Sequence, residues 1–227
     1  MTLEKRSISS PAEMEALPAN DEAEYGTLSV FEILNLPESW PENLSKIPAH
    51  FHRVTPEETH RLQEAMEKSG VYPPGDAIRR QTTIRDAYVG EVDGPLGSVV
   101  VTYGWIALTA EPLDNTGCSF DPPPGDAYLY DFATVPEYRG QGFYPALLRY
   151  ILGELAKQSI RRAWIGTAPG NAVSVRSISR AGFSKVADMR YIPAQAGQPA
   201  YFEIVESINV NSELRELASH SYISNGG

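Results

Sequence analysis

The stretch Tyr128 to Lys157 constrains this chain more than any other, because it reads as a strand, a glycine-punctuated turn and a helix in immediate succession. Tyr128 to Thr134 is an apolar strand, and Arg139-Gly140-Gln141-Gly142 is the turn. Two glycines at i and i+2 let the backbone turn sharply and approach a ligand without a side chain in the way. Pro145 suits the first turn of a helix, where amide donors have no intrahelical partner. Those free amides, together with the positive end of the helix dipole, make a seat for a phosphate. Leu147, Leu148, Ile151, Leu152 and Leu155 then recur at helical spacing, so the helix packs along a sheet.

Three phosphate-binding readings meet at this turn. A dinucleotide fingerprint needs a third glycine three residues after Gly142, where Pro145 stands, and a P-loop needs Gly-Lys-Ser/Thr, which is absent. The third reading is an acyl-CoA seat. A glycine-rich strand-to-helix turn that holds nothing is the bland alternative.

The chain of 227 residues is long enough for one domain with a sizeable core, and 42% hydrophobic residues fit a folded protein. No window of about 18 apolar residues predicts a membrane span. The first 24 residues lack the apolar core of a signal peptide, and Cys118 is the single cysteine, so a cytoplasmic setting and no internal disulfide are expected. Four scattered histidines and one cysteine form no metal-ligand pattern. A formal charge of −10 argues against nucleic acid, whose phosphates need a basic surface, and favours a cationic acceptor or simple solubility.

In chain order, 1–24 reads as an acidic mobile tail. Tyr25 to Leu36 reads as an extra strand with an apolar run that could also be helical, and Pro37 to Pro48 as a connector. Phe51 to Val54 is a short strand. Thr55-Pro56-Glu57-Glu58 opens a helix that carries Leu62, Ala65 and Met66 inward and stops at Gly70. His52 and His60 flank that start and read as packed or solvated. Asp86 to Val92 and Ser98 to Leu108 form a hairpin about a turn at Asp93-Gly94. Glu111 to Asp126 is a loop, either a lip over a site or a plain linker. Arg161 to Thr167 is a strand pairing in parallel with Tyr128 to Thr134. Asn171 caps a helix whose inward face is Val175, Ile178 and Ala181, and Gly182 ends it. Strands over Asp188 to Ile192 and Ala200 to Ile208 flank a turn at Pro193 to Pro199, before a short helix (Ser212 to Ser219) and a tail.

Arg139-Gly140-Gln141-Gly142-Phe143-Tyr144 resembles the Q/R-x-x-G-x-G/A signature of the GCN5-related N-acetyltransferase (GNAT) superfamily, with Tyr144 in place of the last small residue. Asn171-x-x-Ser174 followed by Gly182-Phe183 is similar to its second motif, in the right order and context. The resemblance covers about His50 to Ser207. It implies an α/β (α+β) fold with a GNAT-like mixed sheet of about six or seven strands flanked by helices, and a parallel, splayed strand pair at the cofactor site. It divides the chain into a tail (1–24), one acyltransferase domain (25–210, with the extra strand 25–36) and a C-terminal helix and tail (211–227).

The implied cofactor is acetyl-CoA or another short acyl-CoA. Arg139, Gly140, Gln141, Gly142, Phe143 and Tyr144 would hold its diphosphate, and backbone groups of Phe132 and Thr134 its pantetheine arm and thioester carbonyl. Asn171 would reach the pantetheine or cap its own helix, with Ser174 beside it, and Arg139 would contact phosphate or brace the turn. A bulky residue at Gly142 is expected to abolish cofactor binding with the fold intact. The catalytic candidates are Tyr128, Tyr130, Asp131 and Tyr144, with Asp126 as a neighbouring option for the base. Tyr128 stands where several members of the superfamily carry a glutamate base. By strand alternation Asp131 points away from Tyr128 and Tyr130. Ile178 occupies the place of the superfamily's usual proton-donating tyrosine, which leaves Tyr144, Ser174 and Ser177 as nearby donors.

The reaction expected is N-acyl transfer to a primary amine of a small molecule by direct attack in a ternary complex. The alternatives are a protein or peptide acceptor, a silent acyl-CoA-binding module, and a phosphate-binding domain of another class. No membrane partner is expected, and the protein is read as a monomer or homodimer. Tyr103, Trp105, Tyr128 and Tyr130 would line the acceptor pocket or belong to the core.

Overall fold

The computed structural model describes residues 26–40, 44–70, 75, 77, 86–113, 118–193 and 201–207. The tail expected over 1–24, the helix expected from Ser212 to Ser219, and the expected turn beyond Pro193 lie outside the described residues.

The described elements are β1 (Gly26–Glu32), β2 (His50–Arg53), α1 (Thr59–Ser69), β3 (Asp86–Gly94), β4 (Gly97–Ala107), β5 (Glu111–Leu113), β6 (Cys118–Phe120), β7 (Asp126–Thr134), α2 (Phe143–Lys157), β8 (Arg162–Thr167), α3 (Ala172–Ala181), β9 (Ser184–Ile192) and β10 (Tyr201–Ser207). Eight strands form one sheet in the order β10-β9-β1-β8-β7-β4-β3-β2, one more than the upper end of the expected range. Every neighbouring pair is antiparallel except β7 and β8. The mixed sheet flanked by helices is the expected fold class. β1 is inserted between β8 and β9, in the middle of the sheet.

Local chemistry explains the ends of the elements. The Thr55 amide donates to Glu58 Oε2 at 3.0 Å, closing the capping box ahead of α1. The β3–β4 ladder runs through Asp93 and Gly94 to a Gly94–Gly97 pair, so the turn is Pro95-Leu96 and not the expected Asp93-Gly94. Proline's fixed φ opens the turn, and Gly97 closes it at φ 118°. β9 begins at Ser184, four residues before the expected start, because β1 supplies partners for Ser184 and Lys185. The expected loop from Glu111 folds as a small hairpin, with Glu111 opposite Phe120 and Leu113 opposite Cys118.

Each face of the sheet carries a core. One packs α1 (Leu62, Ala65, Met66) against Tyr103, Trp105, Tyr128, Tyr130 and Trp164. The other packs α2 and α3 (Leu147, Leu148, Ile151, Ile178, Ala181) against Ala127, Leu129 and Ile165. At the start of the parallel pair, the buried Asp126 accepts from Arg162 Nε and Trp164 Nε1 at 2.9 Å each, pinning β7 to β8. Asp126 therefore has a structural task and lies about 20 Å along β7 from Phe132, at roughly 3.3 Å per residue.

Candidate functional site

The parallel β7–β8 pairing spans only Asp126–Arg162 to Leu129–Ile165, although β7 continues to Thr134 and β8 to Thr167. Beyond Leu129 the two strands splay, and β7 is paired only with β4 on its far side. A bulge helps to set the splay. Trp105 faces Tyr130 and Tyr103 faces Ala133, so Gly104 alone opposes both Asp131 and Phe132. Asp131 takes φ 55°, the left-handed conformation that such a bulge demands. The extra residue breaks the two-residue alternation on which the expected direction of Asp131 rests. Its charge bears on the Tyr128 hydroxyl, and Phe132 packs with the α2-side cluster, opposite Tyr128 and Tyr130.

Phe132 lies across Gly104: a Cβ there would stand 2.5 Å from Phe132 Cζ and closer still to Cε1 and Cδ1. The Phe132 ring stacks on Tyr144 with centroids 5.3 Å apart. A lone glycine inside an apolar strand signals such a close approach, and Gly104, which belongs to neither motif, makes room for the Phe132 wall of the cleft.

A cleft of about 430 Å³ opens at the splay, lined by Phe132, Ala133, Thr134, Tyr138, Arg139, Gly140, Gly142, Phe143, Tyr144, Pro145, Asn171, Val173, Ser174, Ser177 and Arg180. Every expected cofactor residue except Gln141 is on that wall. The first intrahelical bond of α2 runs from Ala146 N–H to Gly142 C=O, and Pro145 has no N–H. Helix geometry leaves the amides of Phe143 and Tyr144 without intrahelical acceptors. Gly140 and Gly142 take φ 72° and 87°, and a Cβ on Gly140 would meet nothing within 4 Å. An open glycine turn ahead of a helix N-terminus suits a diphosphate.

Gly142 differs from Gly140. A Cβ on it would lie 2.6 Å from the carbonyl carbon of Leu44 and closer still to the oxygen. The Lys46 amide also donates to Gln141 C=O at 2.9 Å, so residues 44–46 back the turn from behind. A bulky substitution at Gly142 would break this packing, which corrects the expectation that the fold would stay intact.

Arg139 donates from Nε to Thr134 C=O at 3.0 Å and from Nη2 to Ser69 C=O at 3.3 Å, tying the turn to β7 and to the end of α1. The Gln141 amide reaches Glu137 C=O. Asn171 accepts from the Ser174 amide at 3.1 Å, capping α3 while lining the cleft. Phe143 keeps its ring in the core beside Val92 and Val101, which leaves its backbone for the cleft.

Tyr144 lines the cleft, with its hydroxyl hydrogen-bonded to Ser174. Burial pushes its pKa well above the ordinary phenol value, more than the Ser174 hydrogen bond lowers it, so it stays a proton donor. Ile178 is in the core and offers no proton. Tyr128 is likewise raised, by burial first and then by the charges of Asp131, Glu111 and Tyr144. Its hydroxyl is 3.7 Å from where a Cβ on Gly166 would stand, on the splayed β8. Tyr128 is sandwiched between Phe120 (4.5 Å) and Tyr130 (5.7 Å), so the β5–β6 hairpin packs on these rings. Tyr130, Tyr103 and Trp105 belong to the same core.

His52 and His60 lie elsewhere. His52 Nε2 is 3.3 Å from Glu58 beside an Arg61–Glu91 pair of 2.9 Å, and His60 contacts Glu57 C=O. Among the described residues, no group of three or more His, Cys, Asp or Glu is arranged to hold a metal, and no helix is long and apolar enough to cross a membrane.

Residues 60–183 match the family model described as "Acetyltransferase (GNAT) family". The [ribosomal protein bS18]-alanine N-acetyltransferase of Escherichia coli K12 is 30% identical over 74 residues, 32% of this chain and 50% of that protein. The chain thus spans about half the length of the curated relatives it matches. A GNAT acetyltransferase from Colwellia psychrerythraea superposes with a TM-score of 0.51 at 13% identity, covering 71% of this chain and 53% of that one. The aminoglycoside antibiotic 6′-N-acetyltransferase of Acinetobacter baumannii gives 0.50 at 12% identity, covering 66% and 100%. At such identities the superpositions speak for the fold alone.

Proposed function

This chain belongs to the acetyltransferase (GNAT) family, and from that premise we propose that it transfers the acetyl group of acetyl-CoA to a primary amine of a small molecule by direct attack in a ternary complex. The observation carrying the reading is the splay of β7 from β8 beyond Leu129, open onto the glycine turn and the N-terminus of α2. Acetyl-CoA supplies a thioester whose acyl carbon accepts the amine as the carbon–sulfur bond breaks. The amides of Gly140, Phe143 and Tyr144 hold the diphosphate, and the free edge of β7 past the bulge aligns the pantetheine and the thioester oxygen. Asp131 takes the proton that the attacking amine must lose. Tyr144, kept protonated by burial and oriented by Ser174, delivers a proton to the leaving sulfur. Tyr128 holds the floor of the splay as a neutral hydrogen-bonding group. A protein N-terminus is the second reading for the acceptor, favoured by the name of the curated relative.

Gly140→Ala tests the seat, because its Cβ enters open space on the cleft wall. A non-glycine residue at positive φ costs about 1–2 kcal/mol, so the variant folds with a modest loss in Tm. Calorimetry with acetyl-CoA is expected to show at least a tenfold rise in Kd. An unchanged Kd would refute the diphosphate assignment. Thiol release against an amine panel tests transfer, and binding with no release from any amine would leave a silent module.

A further inference from the structure

We infer that Arg180, on the cleft face of α3, binds the 3′-phosphate on the ribose of the cofactor, so that the chain selects CoA over its 3′-dephospho form. The cleft wall carries no carboxylate, and its charged side chains are Arg139 and Arg180. In a chain with 29 acidic residues against 19 basic ones, a wall with that balance suits an anion. The two arginines differ in what they are free to do. Arg139 commits its guanidinium to the carbonyls of Thr134 and Ser69. Arg180 is exposed, and among the described residues its guanidinium has no ion-pair or hydrogen-bond partner. Its main chain is fixed all the same. Arg149 Nη2 donates to the Arg180 carbonyl at 2.9 Å, and the Arg149 guanidinium lies 4.1 Å over the Trp40 ring. The Arg180 side chain therefore reaches the cleft from a backbone anchored to α2.

Position separates this cation from the diphosphate seat. Val173, Ser174, Ser177 and Arg180 recur at helical spacing and share the face of α3 that lines the cleft. Ser174 is bonded to Tyr144, in the first turn of α2 beside the glycine turn. Arg180 is six residues further on, about 9 Å along the helix at roughly 1.5 Å per residue. A diphosphate held by the amides of Gly140, Phe143 and Tyr144 leaves Arg180 a separate anion to meet. CoA has one such anion, the 3′-phosphate, a monoester of about −1.5 to −2 charge at neutral pH. A guanidinium fork matches its oxygens with two parallel N–H···O bonds. A basic residue in the last turn of a helix also offsets the helix dipole. That role acts on stability and not on the choice between the two nucleotides.

This inference rests on the acyl-CoA reading of the cleft, and the experiment separates the two. CoA and 3′-dephospho-CoA are titrated calorimetrically into wild type, Arg180→Gln, Arg180→Lys and Arg176→Gln. Arg176 is on the same helix but lines a different hollow, with Thr167 and Gly170. Wild type is expected to bind CoA more tightly than 3′-dephospho-CoA by roughly fivefold or more, the preference narrowing as salt is added. Arg180→Gln is expected to weaken CoA until the two ligands bind within about twofold of each other, with the Kd for 3′-dephospho-CoA unchanged. Arg180→Lys, which keeps the charge without the fork, is expected to retain part of the preference, and Arg176→Gln all of it. A preference that is missing from wild type, survives Arg180→Gln, or is lost equally in Arg176→Gln overturns the inference, while binding of 3′-dephospho-CoA keeps the diphosphate seat standing. A wild type that binds neither ligand overturns both. The expected pattern supports the inference even if no amine releases thiol, an outcome in which the transfer reading falls alone.

Discussion

Gly104→Ala probes the link between the sheet and the cleft. The added Cβ would lie 2.5 Å from Phe132 Cζ and nearer to two other ring carbons. Gly104 is in the middle of β4, opposite the bulge, so the backbone has little room to retreat. The ring must move, and it takes its stack on Tyr144 with it. Overpacking of this kind costs about 1–3 kcal/mol, and the aromatic pair is worth about 0.5–1.5 kcal/mol more. Together they predict a loss of roughly 2–4 kcal/mol, or about 4–16 °C in Tm for a chain of this size. Because Phe132 and Tyr144 form one wall of the cleft, the Kd for acetyl-CoA is expected to rise at least tenfold in the folded protein. Differential scanning calorimetry and a binding titration read the two effects. A variant with wild-type Tm and wild-type Kd would mean that Phe132 does not lie across Gly104, and the account of the bulge would fall.

Two other outcomes follow from the same structure. Asp126→Ala leaves the buried Arg162 without its counter-charge and Trp164 Nε1 without its acceptor, so urea unfolding is expected to show a loss of about 3–5 kcal/mol. Acetyl-CoA affinity of the folded variant should not change, and a loss below about 1 kcal/mol would contradict the pinning role. Burial raises the hydroxyls of Tyr128 and Tyr144 above the phenol value of 10.0, so the fold favours their neutral forms. Their contribution to stability is full below that pH and is lost as pH rises above it, because the unfolded chain releases those protons first. Stability against pH should be level with respect to these two groups up to about 10 and then decline, less steeply in Tyr144→Phe; an identical alkaline limb in that variant would refute the assignment.

The strand–turn–helix unit and the second motif were legible from the chain alone because their signals are local. Glycines where φ is positive, a proline in a first helical turn and leucines at helical spacing each depend on a few neighbouring residues. The capping box before α1 and the Asn171 cap of α3 belong to the same class. What the linear pattern missed depends on pairing between distant segments. The bulge at Asp131 arises from the register of β7 against β4, and one extra residue there moves Phe132 to the other face. β1 takes its place between β8 and β9 because both offer it a free edge, which no local preference encodes. Leu44 closes on Gly142 and Phe132 lies across Gly104 through contacts between segments far apart in the chain. A residue's neighbours in sequence set its backbone preference, whereas the side chains that meet at this cleft were brought together by sheet register and packing.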